Sequence, residues 1–231
     1  LINQSDRPRR LKLTSYAEVV IGDAAGDRRH PAFSKLFVES SYLKEHGALL
    51  FRRRPRSSSE QALYAAHALV AGSHGDPPEG LEYESDRAAF LGRGLSVQAP
   101  LGARETLQGN VGATLDPVMA LATPVELPPH SQKTFTFVTA FGESRQQLLD
   151  TLERLRAAGA VEREWELARN RSRQELRRAR LGAAQLRPYQ RLLATLLFPS
   201  PALRAAPEVL SANSLGQPGL WGQGISGDYP I

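Results

Sequence analysis

The chain contains no cysteine, which excludes disulfide staples, thiolate metal sites and thiol nucleophiles. It has no run approaching the ~18 apolar residues that a helix needs to cross a bilayer. Its first residues, LINQSDRPRR, lack the positive-then-apolar order of a secretory signal. No HExxH helix, GxSxG elbow or GxxxxGK[ST] loop occurs, so zinc hydrolysis, acyl transfer from a nucleophile elbow and P-loop chemistry have no support. The 5 histidines (His30, His46, His67, His74 and His130) are scattered without metal-ligand spacing. No metal and no cofactor is expected.

What is there is ordinary globular composition. Hydrophobic residues make up 41%, and 29 Lys and Arg stand against 24 Asp and Glu, for a net charge of +5. That excess is a weak pull on polyanions, and no regular interleaving of aromatic and basic residues marks a nucleic-acid platform. Nucleic acid is therefore not an expected partner. Both ends of the sequence are abrupt, as in a piece cut from a longer protein.

From Leu11 to about Phe141 the dominant period is two. In LKLTSYAEVVI one face takes Leu11, Leu13, Ser15, Ala17, Val19 and Ile21, and the other takes Lys12, Thr14, Tyr16, Glu18 and Val20. Only the first is nearly apolar, as in a strand with one buried face. FSKLFVESSYL, GALLFRRR, ALYAAHALV and KTFTFVTAFG read as further strands, the last with Phe135, Phe137 and Thr139 on one side. No long helical runs separate them, so an antiparallel two-sheet sandwich is expected over residues 1–142. The fold class is mainly β with α.

After Gly142 the period becomes helical. ESRQQLLDTLERLRAAG places Leu148, Leu152 and Leu155 on one stripe, with Ser144 as cap and Gln147 three residues on, ending near Gly159. An arginine-rich helix follows, with Val161, Trp165, Ala168, Ser172, Leu176 and Ala179 along one stripe as far as Gly182. A third helix is expected over RPYQRLLATLLF, with Pro188 in its first turn. These make a helical segment over 143–199 whose apolar faces need cover. The remainder, 200–231, has loop composition with leucine and aromatic anchors.

The densest group of chemically useful residues is YESDRAAFLGRG, with Glu84, Asp86, Arg87 and Arg93 around Phe90. Guanidinium forks and carboxylates together hold sugar hydroxyls or phosphate. Equally, Asp86 and Arg87 can form a structural pair that fixes a sheet-edge loop. RRRPR, residues Arg52 to Arg56, either meets phosphate or is a solvated hairpin end. His67, among alanines, reads as a packed or edge histidine. Asp228 is the only acid of the closing LWGQGISGDYPI, among glycines that permit a tight turn or close approach to a ligand.

Taken in order, LTSYAEVVI, HPAFSKLFVES, YESDRAAFLGRG, GNVGATLDPVMAL and LWGQGISGDYPI resemble glycoside hydrolase family 94, and within it the phosphorylase-like region of cyclic β-1,2-glucan synthases. The resemblance runs through nearly the whole chain. It implies a mutarotase-like β-sandwich, a helical linker and the start of an (α/α)6 catalytic barrel, the rest of which is missing here. It also implies inverting phosphorolysis or synthesis of β-glucans in the complete enzyme. Inorganic phosphate or glucose 1-phosphate would be co-substrate, and a β-glucan oligosaccharide the partner. By the same resemblance Asp86, Arg87, Phe90 and Arg93 line or brace the entrance to the barrel's active site. Gln223, Ser226 and Asp228 would sit near its mouth.

One departure is plain. The family's DWND-like run, which carries the catalytic aspartate, does not occur in this sequence. No residue takes the general-acid role, and no catalytic residue is assigned. Two other readings stay open: an independent carbohydrate-binding sandwich, and a structural module that forms a homo-oligomer through its arginine-rich helix. The sequence assigns no compartment, and the resemblance allows a parent at the bacterial inner membrane with this region on the cytoplasmic side.

Overall fold

The computed structural model of the chain describes residues 1–22, 24–58, 60–71, 77–197, 205–214, 216, 218–222 and 224. In chain order these form β1 (Ile2–Asn3), β2 (Arg9–Glu18), α1 (Ala24–Arg29), α2 (Pro31–Lys35), β3 (Val38–Leu43), β4 (Ala48–Arg53), β5 (Leu63–Ala71), β6 (Glu82–Asp86) and α3 (Arg87–Leu91). There follow β7 (Pro117–Leu127), β8 (Ser131–Gln132), β9 (Phe135–Gly142), α4 (Arg145–Arg156), α5 (Ala160–Arg178), α6 (Ala183–Leu197), α7 (Pro207–Ala212) and α8 (Pro218–Trp221). Two compact units result, Leu1–Trp165 and Glu166–Ile231.

The first unit is built on two antiparallel sheets, one ordered β2-β7-β6 and the other β3-β4-β5-β9. Their strands sort by the period-two rule. Leu49 and Phe51 of β4, Ala65 and Leu69 of β5, and Met119 and Leu121 of β7 share one buried cluster, the interior between the sheets. The alternate residues face outward and are covered by helices. Ala48, Leu50, Ala66 and Ala68 pack on Leu148 and Leu152 of α4. Val118, Ala120 and Ala122 pack on Phe90 and Leu91 of α3 and on Leu107. Small residues on these outer faces let the helices come close. Burying each large side chain of the interior contributes ~1.5–3 kcal/mol.

The antiparallel sandwich expected from the sequence is therefore present, with several local differences. Tyr16, placed on the polar face of β2, packs instead on the cluster beneath α3. β7 was not distinguished by alternation, because both its faces are buried and only Pro124 and Glu126 are exposed. Pro124 is tolerated because β6 pairs with β7 no further than Ala122, leaving one side without a ladder. Phe33 to Lys35 are helical rather than strand, since Pro31 at the first helical position presets the turn of α2.

The first unit reaches beyond residue 142 because α4 lies on the sheet. Ser144 caps α4 by accepting from Gln147 N–H at 3.2 Å. The Gln147 side chain reaches back to Glu143 N–H, also 3.2 Å away. This is a capping box shifted by one residue.

In the second unit Pro188 lies inside α6, not in its first turn. The helix starts earlier because AAQLR consists of strong helix formers, and Gly182 N–H is satisfied by Gln185 Oε1 at 2.8 Å. The stretch read as loop after residue 200 contains the short α7 and α8. Leu167, Leu192, Leu193, Leu197, Val209 and Trp221 are exposed. The barrel start is not established among the described residues.

His67 is a packed histidine, 4% exposed. Its Nε2 lies 2.8 Å from Ser15 Oγ of β2 and its Nδ1 2.8 Å from Thr139 Oγ1 of β9, so one ring ties both sheets together. Burial pushes its pKa down to about 4. The unfolded chain therefore takes up the proton first as pH falls, so the stability from the neutral ring is complete above ~6.5 and lost progressively toward ~4. The loss is on the order of 3 kcal/mol. Thermal melts between about pH 7.5 and 4.5 should destabilise the native chain more than His67→Gln, whereas parallel losses would contradict a buried neutral ring.

Candidate functional site

Four of the sequence stretches singled out above meet beside β3 and β6, edge strands of the two sheets. β3 supplies Ser40, the β6–α3 junction supplies Glu84 to Arg87, and the loop before β7 supplies Asn110 to Asp116. Glu18 arrives at the end of β2 and Lys35 at the end of α2.

The local geometry follows from a strand running directly into a helix. Asp86 is the last residue of β6 and the N-cap of α3, and its Oδ1 accepts from Ala88 N–H at 2.8 Å. A register shift between Glu84 and Asp86 turns the chain there. Glu84, 1% exposed, uses both carboxylate oxygens. Oε1 accepts from Asp86 N–H at 2.8 Å and Oε2 from Asn110 Nδ2 at 2.9 Å.

Beside it, Ser85 Oγ lies 2.7 Å from Ser40 Oγ and donates to Asn110 O at 2.9 Å. Ser40 and Gly112 exchange both backbone bonds, at 2.9 and 3.0 Å. Gly112 has φ of 110°, a conformation that favours glycine. This bridge joins β3 of one sheet to the loop carried by β6 of the other.

Around this seam lies a charged rim. Arg87 Nε is 3.2 Å from Glu18 Oε1, and its Nη1 is 3.6 Å from Asp116 Oδ2. Lys35 Nζ meets Asp116 Oδ1 at 2.6 Å. Hydrogen bonding with Tyr16, helped by the charges of Glu18 and Asp116, holds the Arg87 guanidinium above its usual range. The expected Asp86–Arg87 pair does not form. Asp86 faces the helix amides and Arg87 faces Glu18 and Asp116.

Phe90 is 2% exposed and stacks on Tyr16 with ring centroids 4.7 Å apart. It braces α3 against the sheet and offers no open face. Close packing there requires Gly102, where a Cβ would come 2.6 Å from the Phe90 ring. Arg93 is exposed and has no hydrogen bond or ion pair among the described residues. Gln223, Ser226 and Asp228 lie outside the described residues. Ser40, Asn110 and Asp116 lie in the stretches His30 to Ser40 and Asn110 to Leu121, which the sequence reads as scaffold, and their contacts here are bracing ones. Nothing in a linear pattern shows that those stretches touch.

A second feature had no sequence signal. Tyr42 of β3 and Tyr83 of β6 stack at 3.8 Å between centroids and 14° between planes. They line a groove of about 780 Å³ with Lys44, Glu45, Leu81 and Arg156. Burial pushes the Tyr42 hydroxyl above its usual pKa. Among the described residues no group of His, Asp and Glu is arranged to hold a metal ion.

These elements define a two-sheet antiparallel sandwich with helices on both outer faces, whose carboxylates brace a seam between the sheets. Residues 1–158 match the family described as "Glycosyl hydrolase 94, supersandwich domain", and the chain belongs to that family. It is also 30% identical over 233 residues to the cyclic beta-(1,2)-glucan synthase NdvB of Rhizobium meliloti (strain 1021). That match takes in 100% of this chain and 8% of the relative's length.

The geometry separates bracing residues from exposed ones. Glu84→Ala leaves the Asp86 amide without its acceptor and Asn110 with only the longer contact to Gln108, and should cost ~2–3 kcal/mol. Asp86→Ala loses the helix cap, for about 1 kcal/mol, while Arg93→Ala should stay within about 0.5 kcal/mol of the native chain. Urea denaturation measures all three, and a neutral Glu84→Ala would contradict this account of the seam.

Proposed function

We propose that this chain is the noncatalytic β-sandwich portion of a cyclic β-1,2-glucan synthase or a related inverting glycoside phosphorylase. The observation that carries this reading is the state of the carboxylates where the sequence stretches converge. Glu84 is saturated by Asp86 N–H and Asn110. Asp86 is spent on a cap, and Glu18 and Asp116 face Arg87 and Lys35. Inverting phosphorolysis needs one carboxyl free to protonate the glycosidic oxygen while phosphate takes the place of the attacking water. Each of these four is engaged by at least one donor, and the DWND-like run is absent from the sequence. In this reading the sandwich shapes an enzyme whose acid is supplied by another region, with a β-glucan oligosaccharide and phosphate or glucose 1-phosphate as its reactants.

The test is direct. Purified chain, incubated with β-1,2-glucan and inorganic phosphate, should release no glucose 1-phosphate, whereas sustained release would overturn the proposal.

A second reading, an autonomous carbohydrate-binding sandwich, is favoured by the Tyr42–Tyr83 groove. Aromatic faces receive the C–H face of a sugar while flanking polar groups take its hydroxyls, and Lys44, Glu45 and Arg156 flank the pair here. Calorimetric titration with β-1,2-linked gluco-oligosaccharides should then show binding that Tyr42→Ala weakens about tenfold, the scale of one lost contact of ~1.4 kcal/mol. Absence of heat with the folded native chain would eliminate this reading and leave the first intact.

A further inference from the structure

The basic run Arg52 to Arg56 is not a uniformly solvated hairpin end. Arg52 and Arg54 are exposed, and Arg54 pairs with Glu39 at 3.0 Å. Arg56 pairs with Glu60 at 2.9 Å. Arg53 differs, being only 8% exposed. Its Nη1 donates to Ser34 O at 2.9 Å, and its guanidinium lies 5.7 Å from the centroid of Phe37. It forms no ion pair among the described residues. Its charge acts on Glu60 across the same cavity, but a buried cation without a directly paired carboxylate is costly unless something else compensates it.

Arg53 faces a cavity of about 370 Å³ that is also lined by Arg29, His30, Ser34, Arg56 and Glu60. Arg29, at the end of α1, is exposed and likewise forms no ion pair among the described residues. Three guanidiniums thus surround one carboxylate, and that carboxylate is already held by Arg56. Phe37 lies beneath two of the cations, with Arg56 also 5.7 Å from its ring centroid, which restrains both guanidiniums. Forked donors around an excess of positive charge match the oxygens of a phosphate group, to which guanidinium binds in bidentate fashion.

We propose that this cavity binds a phosphate group, either as the free ion or on a small phosphorylated sugar. It is separate from the polar seam and from the tyrosine groove, and does not depend on the function proposed above. The cavity unites α1, α2 and the end of β4, so an anion there ties the helices to the sheet edge. Phosphate would supply an acceptor for Arg29 and a further one for Arg53 beside Ser34 O.

Phosphorus NMR line broadening tests this with the whole chain. Inorganic phosphate and glucose 1-phosphate are titrated separately at constant ionic strength, with chloride as the competing anion. Saturable broadening is expected, weakened about fivefold or more by Arg29→Ala and by Arg53→Lys, as loss of a charge-assisted bidentate contact requires. Arg29→Ala alters an exposed side chain and keeps the test valid should Arg53→Lys disturb folding. Tighter binding of glucose 1-phosphate identifies the ester as ligand, and equal affinities identify the phosphate group alone. Broadening that never saturates, or unchanged affinity in Arg29→Ala, would overturn the assignment.

Discussion

The buried carboxylate of Glu84 is the constraint on which the seam between the two sheets depends. It is 1% exposed, yet it is bound on both oxygens, by the Asp86 amide and by Asn110. The first bond holds the turn that launches α3 from β6. The second holds the loop that delivers β7 between β2 and β6. A charge so placed is tolerated only while its partners stay in position. The site thus converts one unfavourable burial into a fixed geometry for three segments distant in sequence.

From that seam the two sheets are joined in two further ways. Ser40, Ser85 and Gly112 couple β3 to the loop before β7 through side-chain and backbone bonds. His67 spans the interior from β5, meeting Ser15 on the opposite sheet and Thr139 on its own. Between these polar ties the interior is apolar, with Phe51, Leu49, Leu69, Met119 and Leu121 almost wholly buried. The apolar layer supplies most of the favourable burial and is non-directional. Register and sheet-to-sheet orientation come from the directional bonds.

Much of the layer arrangement was legible from alternation alone. Phe135, Phe137 and Thr139 do share a face, and Leu148 and Leu152 do form the buried stripe of α4. β7 escaped because a strand buried on both faces shows no alternation. Tyr16 was misplaced because β2 is covered on its second face by α3, a tertiary fact that no local pattern contains. The four converging stretches were each visible, but their meeting was not. Arg87 looked like the partner of its neighbour Asp86 and instead reaches Glu18 and Asp116. Adjacent residues at a strand-to-helix junction point in different directions, so sequence proximity misleads there.

This division of labour bears on function. In a family built around sugar chemistry, a dense group of Asp, Glu and Arg invites a catalytic reading, yet here Glu84 and Asp86 hold backbone amides and Arg87 is paired with Glu18 and Asp116. Amide hydrogen exchange reports directly on whether the convergence site is structural. The Ser85, Asp86 and Gly112 amides should exchange as slowly as those of the central strand β4, opening only with the whole sandwich. Exchange at these amides many times faster than in β4 would show a locally mobile site and contradict the account.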